Sequence, residues 1–261
     1  MVSLYRHVVA IPFRPVALAF RAVAVVVVAT GVIRLLDLFT PDPSWRTMLY
    51  FTAVTNVIVL VWLTIVAVAT ARDLVRRGAR GLTNPSPEFH GAVLMAVTVT
   101  MLVYTVVLVP TLTQDPTYEA YTLTDSLVHV VAPVLVVLDW LLFTPKGRMR
   151  WRDPLLWALL PLGYLAFAFV FGALGGEFEP GVSYPYPFMD VATLGVGGVA
   201  LWILGLAVAL ELVGFGYVAI DRALGRRSRD ASGSRSDADA SSTPAHTAPS
   251  PPTAMSPIVS E

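Results

Sequence analysis

The chain has 261 residues, is 56% hydrophobic and only 14% charged, and has a mean hydropathy of +0.68. A water-soluble domain carries about 25% charged residues, so this composition makes a bilayer the chain's solvent. Acidic and basic residues balance at 18 each, which leaves no basic footprint for nucleic acid; the absence of cysteine excludes disulfides, thiolate nucleophiles and cysteine metal sites.

A spanning helix needs about 20 mostly apolar residues. Taken in chain order, six such runs are predicted, at 15–38, 48–71, 89–111, 123–143, 153–174 and 189–221. The expected fold class is therefore an all-α membrane protein with six transmembrane helices. The first run is too long for a signal-peptide core, and no clear small-residue cleavage site follows it. Five more spans do follow, so it reads as a retained helix. Pro41, Pro43, Pro85, Pro87, Pro116, Pro145 and Pro180 punctuate the gaps. From about residue 225 the chain turns to Ser, Ala, Pro, Asp and Arg, a composition that predicts disorder. The expected organisation is a cytoplasmic N-terminal segment (1–14), a six-helix transmembrane domain (15–221) and a disordered cytoplasmic tail (222–261). No internal repeat is evident, which argues against an inverted-repeat transporter.

The basic residues set an orientation. Arg6 and Arg14 precede the first span. Arg72, Arg76, Arg77 and Arg80 follow the second. Lys146, Arg148, Arg150 and Arg152 follow the fourth, and Arg222, Arg226, Arg227, Arg229 and Arg235 follow the sixth. The other three loops hold only Arg46. By the positive-inside rule both termini are expected in the cytoplasm.

Orientation converts sequence position into depth, at about 1.5 Å per residue. Thr52, Thr55 and Asn56 on the second span, Asp125 and His129 on the fourth, and Asp190 at the mouth of the sixth then share the outer level, beside Tyr184 and Tyr186. Asp125 and His129 are four apart and share a helix face, where a carboxylate can hold the imidazole in one tautomer. A threonine hydroxyl becomes a nucleophile when a base removes its proton. The plainer readings stand beside these. Intramembrane threonines commonly bond back to the carbonyl one turn earlier, and a buried histidine also serves as a structural hydrogen-bonding group. Arg34 and Asp37 read as an interfacial ion pair, and Asp139, with Arg21 and Glu211 near the inner side, as structural pairing. Trp45, Trp140 and Trp151 near span ends read as interfacial anchors. Gly195–Val196–Gly197–Gly198–Val199–Ala200 fits the letters of a dinucleotide fingerprint but lies within a span with no preceding strand, so it reads as close helix packing. Asp125, His129 and Asp190 form a thin signal for a metal, with one histidine. No metal and no cofactor is expected.

Three elements in order carry a resemblance. They are Tyr50–Phe51–Thr52 followed by Asn56 and an apolar run; His129, Pro133 and Asp139–Trp140–Leu141–Leu142–Phe143; and Tyr184–Pro185–Tyr186–Pro187–Phe188. The chain resembles the androgen-induced and androgen-dependent tissue-factor-pathway-inhibitor-regulating membrane proteins, and more closely their bacterial relatives, over residues 15–221. The resemblance implies a multi-pass intramembrane hydrolase in a bacterial plasma membrane. Animal members split fatty acid esters of hydroxy fatty acids with a threonine nucleophile and a histidine. Carried onto this sequence, these are Thr52 and His129. Both lie roughly 6–9 Å below the outer interface at the helical rise, the level of a lipid ester. The expected partner is a lipid ester substrate within the bilayer. Asp125 or Asp190 is the candidate to orient His129, and Asn56 the candidate oxyanion donor. Thr55, Tyr184 and Tyr186 are candidate lining residues. The competing classes are a lipid-binding or transport protein that uses the same pocket without cleaving, and a proton pathway through His129 and Asp139.

Overall fold

Six helices long and apolar enough to cross a membrane make up the computed structural model of the chain. It describes the backbone of residues 10–241 and the side chains of residues 10–226; the first nine residues of the predicted N-terminal segment and residues 242–261 of the predicted tail lie outside the described residues. The helices are α1 (Arg14–Leu35), α2 (Phe51–Arg77), α3 (Pro87–Leu112), α4 (Leu123–Phe143), α5 (Asp153–Ala173) and α6 (Val191–Ser241), whose apolar span is Val191–Arg226. In hydrocarbon every backbone N–H and C=O must be satisfied within the segment, and an apolar run of this length meets that demand as a helix.

Local signals set the ends. Ser86 accepts the Phe89 N–H at 3.2 Å ahead of Pro87, and Thr122 accepts the Asp125 N–H at 3.2 Å, so α3 and α4 each begin on a side-chain cap. Gly78, with φ of 79°, ends α2 in a conformation that costs other residues strain. The last helix runs past the predicted end at 221 as far as Ser241. No proline interrupts that stretch before Pro244, which accounts for the continuation.

Two helices change pitch inside the bundle. Residues Val103–Leu108 of α3 and Leu127–Val131 of α4 are π-helical. Proline clashes with the carbonyl four residues earlier, and widening the turn relieves it. Pro110 and Pro133 stand four residues after Val106 and His129, inside the two widened turns.

Helices α1–α4 build the core, with Val28, Val59, Leu63, Val66, Leu94, Val97, Val128 and Val136 essentially inaccessible. The last two helices pack more openly and present Leu155, Leu159, Val170, Leu201, Leu204 and Leu212 outward, as lipid-facing surfaces do. One tight contact ties α5 to the core. A Cβ placed on Gly91 would meet the Trp157 ring at 2.1 Å, so only glycine lets the indole seat against α3. Gly91→Ala is expected to destabilise the bundle by about 1–3 kcal/mol through overpacking, with partial recovery when Trp157 is shortened to leucine. Thermal unfolding in detergent checks both; an unaffected Gly91→Ala protein would mean the indole moves aside freely.

Toward the opposite end from the α4 N-terminus, Arg21 of α1 and Asp139 of α4 form an ion pair with 0% exposure on both sides, at 2.6 Å from Nε and 3.2 Å from Nη2. Arg21 also donates to the Thr70 hydroxyl on α2. Arg21 and Asp139 therefore pair as expected, but Glu211 does not join them; it faces a cavity on the other side of α3. Other expectations are corrected here. Arg34 and Asp37 do not pair: Arg34 donates to Thr124 at 3.2 Å and Asp37 accepts from Ser44 at 2.9 Å, because the helix ends and Asp37 takes a φ of 48°. Trp45 and Trp151 are exposed as anchors would be, but Trp140 is buried against Tyr217 and beneath the Lys146 ammonium. The glycines of the Gly195–Ala200 run do not mediate close packing against a neighbouring helix, although Val199 is buried. Gly195 breaks α6 at φ 68°, and a Cβ on Gly195 or Gly197 would meet nothing.

Candidate active site

Thr52 occupies the first turn of α2, entered through Tyr50 in extended conformation. Its hydroxyl oxygen lies 3.3 Å from Nε2 of His129 on α4. The other ring nitrogen, Nδ1, lies 3.2 Å from the Asp125 carbonyl oxygen. A carbonyl only accepts, so Nδ1 carries the proton in the neutral ring and Nε2 turns its lone pair to the Thr52 hydroxyl. The widened turn at Leu127–Val131 places the imidazole in this way. The Asp125 carboxylate stands 3.8 Å from Nδ1, beyond hydrogen-bonding distance, and accepts from the Thr122 hydroxyl at 2.8 Å. Asp125 thus orients His129 through its backbone, while its carboxylate braces the helix start.

The second widened turn meets the first. Tyr104 of α3 stacks on the His129 ring with centroids 3.8 Å apart and planes inclined by 7°. Its hydroxyl accepts the Tyr121 N–H at 3.1 Å. The imidazole is held between Thr52, Asp125 and an aromatic plate, so few orientations remain open to it.

Tyr186 closes the other side. Pro185 and Pro187 flank it and hold it extended, with φ −139° and ψ 144°. Its hydroxyl oxygen accepts the Phe51 N–H at 3.2 Å, and the Thr52 side chain is a neighbour. Burial pushes this hydroxyl up to about 12, so it keeps its proton at neutral pH and can donate it. Tyr164 of α5 stands beside it and donates to the Leu49 carbonyl at 3.0 Å. Tyr50 is also raised to about 12, by burial and then by the neighbouring Glu179 carboxylate.

From this cluster a cavity of about 160 Å³ extends between α2, α3, α5 and α6. Thr52, Tyr104 and Tyr186 line one end. Val99, Val103, Leu165, Leu206 and Leu210 line the length, and Met95 and Glu211 line the other end. The walls are apolar nearly throughout.

Of the residues singled out in the sequence, Thr52, His129, Asp125 and Tyr186 come together. Thr55 is fully buried, does not line the cavity, and its hydroxyl has no partner. Asn56 is spent elsewhere: its amide donates to the Thr52 carbonyl at 2.9 Å and the Val128 carbonyl at 3.1 Å. With both amide hydrogens committed, it cannot serve as the oxyanion donor; it locks α2 against the widened turn of α4. Asp190 does not reach His129. Its carboxylate accepts the Ala192 N–H at 2.9 Å, the Thr193 N–H at 3.2 Å and the Thr193 hydroxyl, the pattern of a helix cap. Tyr184 neighbours that cap, outside the cavity lining. Among the described residues no three His, Asp or Glu side chains gather as a metal set. Tyr104, Tyr164 and Glu211 are the additions the structure makes. Each is a polar group inside an otherwise apolar span, and that was the available signal.

No family model, curated protein or solved structure matches the chain.

Proposed function

We propose that the chain is an intramembrane lipid ester hydrolase with Thr52 as nucleophile and His129 as general base. The reading rests on one observation: the Thr52 hydroxyl lies 3.3 Å from an imidazole nitrogen whose lone pair is directed at it, at the end of a long apolar cavity. That distance is at the long limit for a catalytic hydrogen bond, as is common before substrate tightens a site. The resemblance to the androgen-regulated membrane hydrolases agrees with this reading and supplies the substrate class: fatty acid esters of hydroxy fatty acids, or a related bacterial lipid ester. By the positive-inside rule both termini face the cytoplasm of a bacterial cell, and the Thr52–His129 end then opens to the outer leaflet.

His129 Nε2 takes the Thr52 hydroxyl proton as the oxygen attacks the ester carbonyl carbon. The tetrahedral intermediate collapses by breaking the bond to the alcohol oxygen, which takes the proton back from the imidazolium and leaves as the hydroxy acid. Water then gives a proton to His129 and attacks the acyl-threonine, and collapse returns the proton to Thr52. The acyl chain lies in the cavity throughout. The developing oxyanion falls to Tyr186, whose hydroxyl accepts from Phe51 N–H and has its own proton free to donate. Tyr186→Phe is expected to lower kcat by about 10²–10³-fold and change KM little, the signature of a contact made in the transition state. Steady-state kinetics on a single ester give the split; a rise in KM alone would assign Tyr186 to substrate binding.

The test of the activity is turnover of long-chain hydroxy-fatty-acid esters by protein in lipid nanodiscs, with both products quantified. Cleavage that depends on Thr52 and His129 supports the hydrolase. Lipid that co-purifies in a Thr52- and His129-dependent way without turnover of any ester favours a binding protein instead.

A further inference from the structure

Glu211 has a role that ester cleavage does not use. It lies in the apolar span of α6 and lines the end of the cavity away from Thr52, and one carboxylate oxygen is buried with no hydrogen-bond partner. It forms no ion pair among the described residues. Its place along the bundle follows from its neighbours. Gly214, one turn further on, packs on Met95, since a Cβ there would lie 3.3 Å from the Met95 sulfur. Tyr104, stacked on His129, is nine residues from Met95 on α3. At 1.5 Å per residue, Met95 lies about 14 Å along the bundle from the reacting groups, and Glu211, three residues nearer them than Gly214 on the antiparallel α6, lies about 9 Å from them. An acyl chain attached at Thr52 and laid along the cavity therefore meets the free carboxylate oxygen about 9 Å along, where a chain of that length ends.

A methyl end there leaves a buried polar oxygen unpaired, which is costly in hydrocarbon. A hydrogen-bond donor satisfies it. The geometry points to a substrate whose acyl chain carries a hydrogen-bond-donating group at its far end, received by Glu211, with Thr52 and Glu211 marking the two ends of one ligand. The inference rests on the cavity holding the acyl chain, as the hydrolase reading has it. It goes further by assigning specificity to the end of the chain remote from the ester.

The experiment separates the two readings. Thr52→Ala protein in nanodiscs is titrated with fatty acids of matched, stepped length ending in methyl, hydroxyl or amine, against a displaceable fluorescent fatty acid. A donor-ended chain is expected to bind about tenfold more tightly than its methyl-ended counterpart, best at the length that reaches about 9 Å. Glu211→Leu is expected to erase that ratio, with Glu211→Gln intermediate and unfolding temperatures measured for both. The hydroxyl and amine arms identify which donor is preferred. Equal affinity for all three end groups, or a ratio that persists in folded Glu211→Leu, overturns the inference. End-group preference in a protein that cleaves no ester leaves the inference standing and removes the hydrolase; turnover without end-group preference does the reverse.

Discussion

Thr52→Ala and His129→Ala are each expected to lower ester turnover by about 10⁴–10⁶-fold, and the double variant by no more than either alone. In the proposed mechanism the two residues act as one unit. Without the hydroxyl there is nothing to acylate, and without the imidazole nothing takes its proton, so the second removal finds the pathway already lost. The non-additivity is a sharper result than the size of either effect, because two independent binding contributions would multiply. Folding controls differ between the positions. Asn56 holds the Thr52 backbone carbonyl, which alanine keeps, so Thr52→Ala should unfold near the wild-type temperature. His129→Ala removes the ring stacked on Tyr104 and should lose some stability. Thr52→Ser, which keeps the nucleophilic oxygen, should retain measurable cleavage. Kinetics in nanodiscs beside thermal unfolding decide the matter; full turnover by folded Thr52→Ala would move the attack to a water activated by His129.

The largest stability effect is expected at the other end of the bundle. Breaking the Arg21–Asp139 pair from one side, as Arg21→Met or Asp139→Asn, should destabilise the protein by about 3–5 kcal/mol, because it strands a charge or its donors in a site with 0% exposure. Replacing both, as Arg21→Met with Asp139→Leu, should recover most of that loss. The pair's mutual attraction roughly repays its own desolvation, so removing it whole costs far less than halving it. Unfolding in mixed micelles across the single and double variants measures the coupling. The same variants separate structure from transport: a proton pathway through Asp139 predicts conductance that vanishes with Asp139→Asn, whereas the bidentate geometry, 2.6 and 3.2 Å with Thr70 as a further acceptor, is that of a fixed clamp.

Six spans were legible from hydropathy because each helix must satisfy its own backbone in hydrocarbon, and α4 falls at 123–143 as read from the sequence. That Thr52 and His129 share a level was legible from residue counting on two helices; that they pair came only as what the family resemblance implies. What escaped the reading has a common cause. Depth comes from counting residues, but facing depends on helical phase, and the widened turns alter phase. Tyr104 could not be placed over His129 by any regular 3.6-residue count, since both residues lie in π-helical turns. Asn56 was legible as a polar group at the right level, but that its amide was already taken by two carbonyls was not. Asp190 illustrates the same limit: a carboxylate one residue before a helix is as well suited to capping it as to reaching a neighbour, and spacing alone does not choose.

The widened turn in α4 also links the two ends of the molecule. A π-turn accommodates one more residue than the α-helical ladder would, and one residue corresponds to about 100° of rotation about the helix axis. His129 lies within that turn and Asp139 lies eight residues beyond its end. A single-residue deletion in 127–131 would restore an even ladder while swinging the remainder of α4 by about that angle, carrying Asp139 off Arg21 even though neither had been touched. The imidazole at one end and the carboxylate at the other are thus phased by the same extra residue: the helix can be right for both partners only while it stays irregular between them.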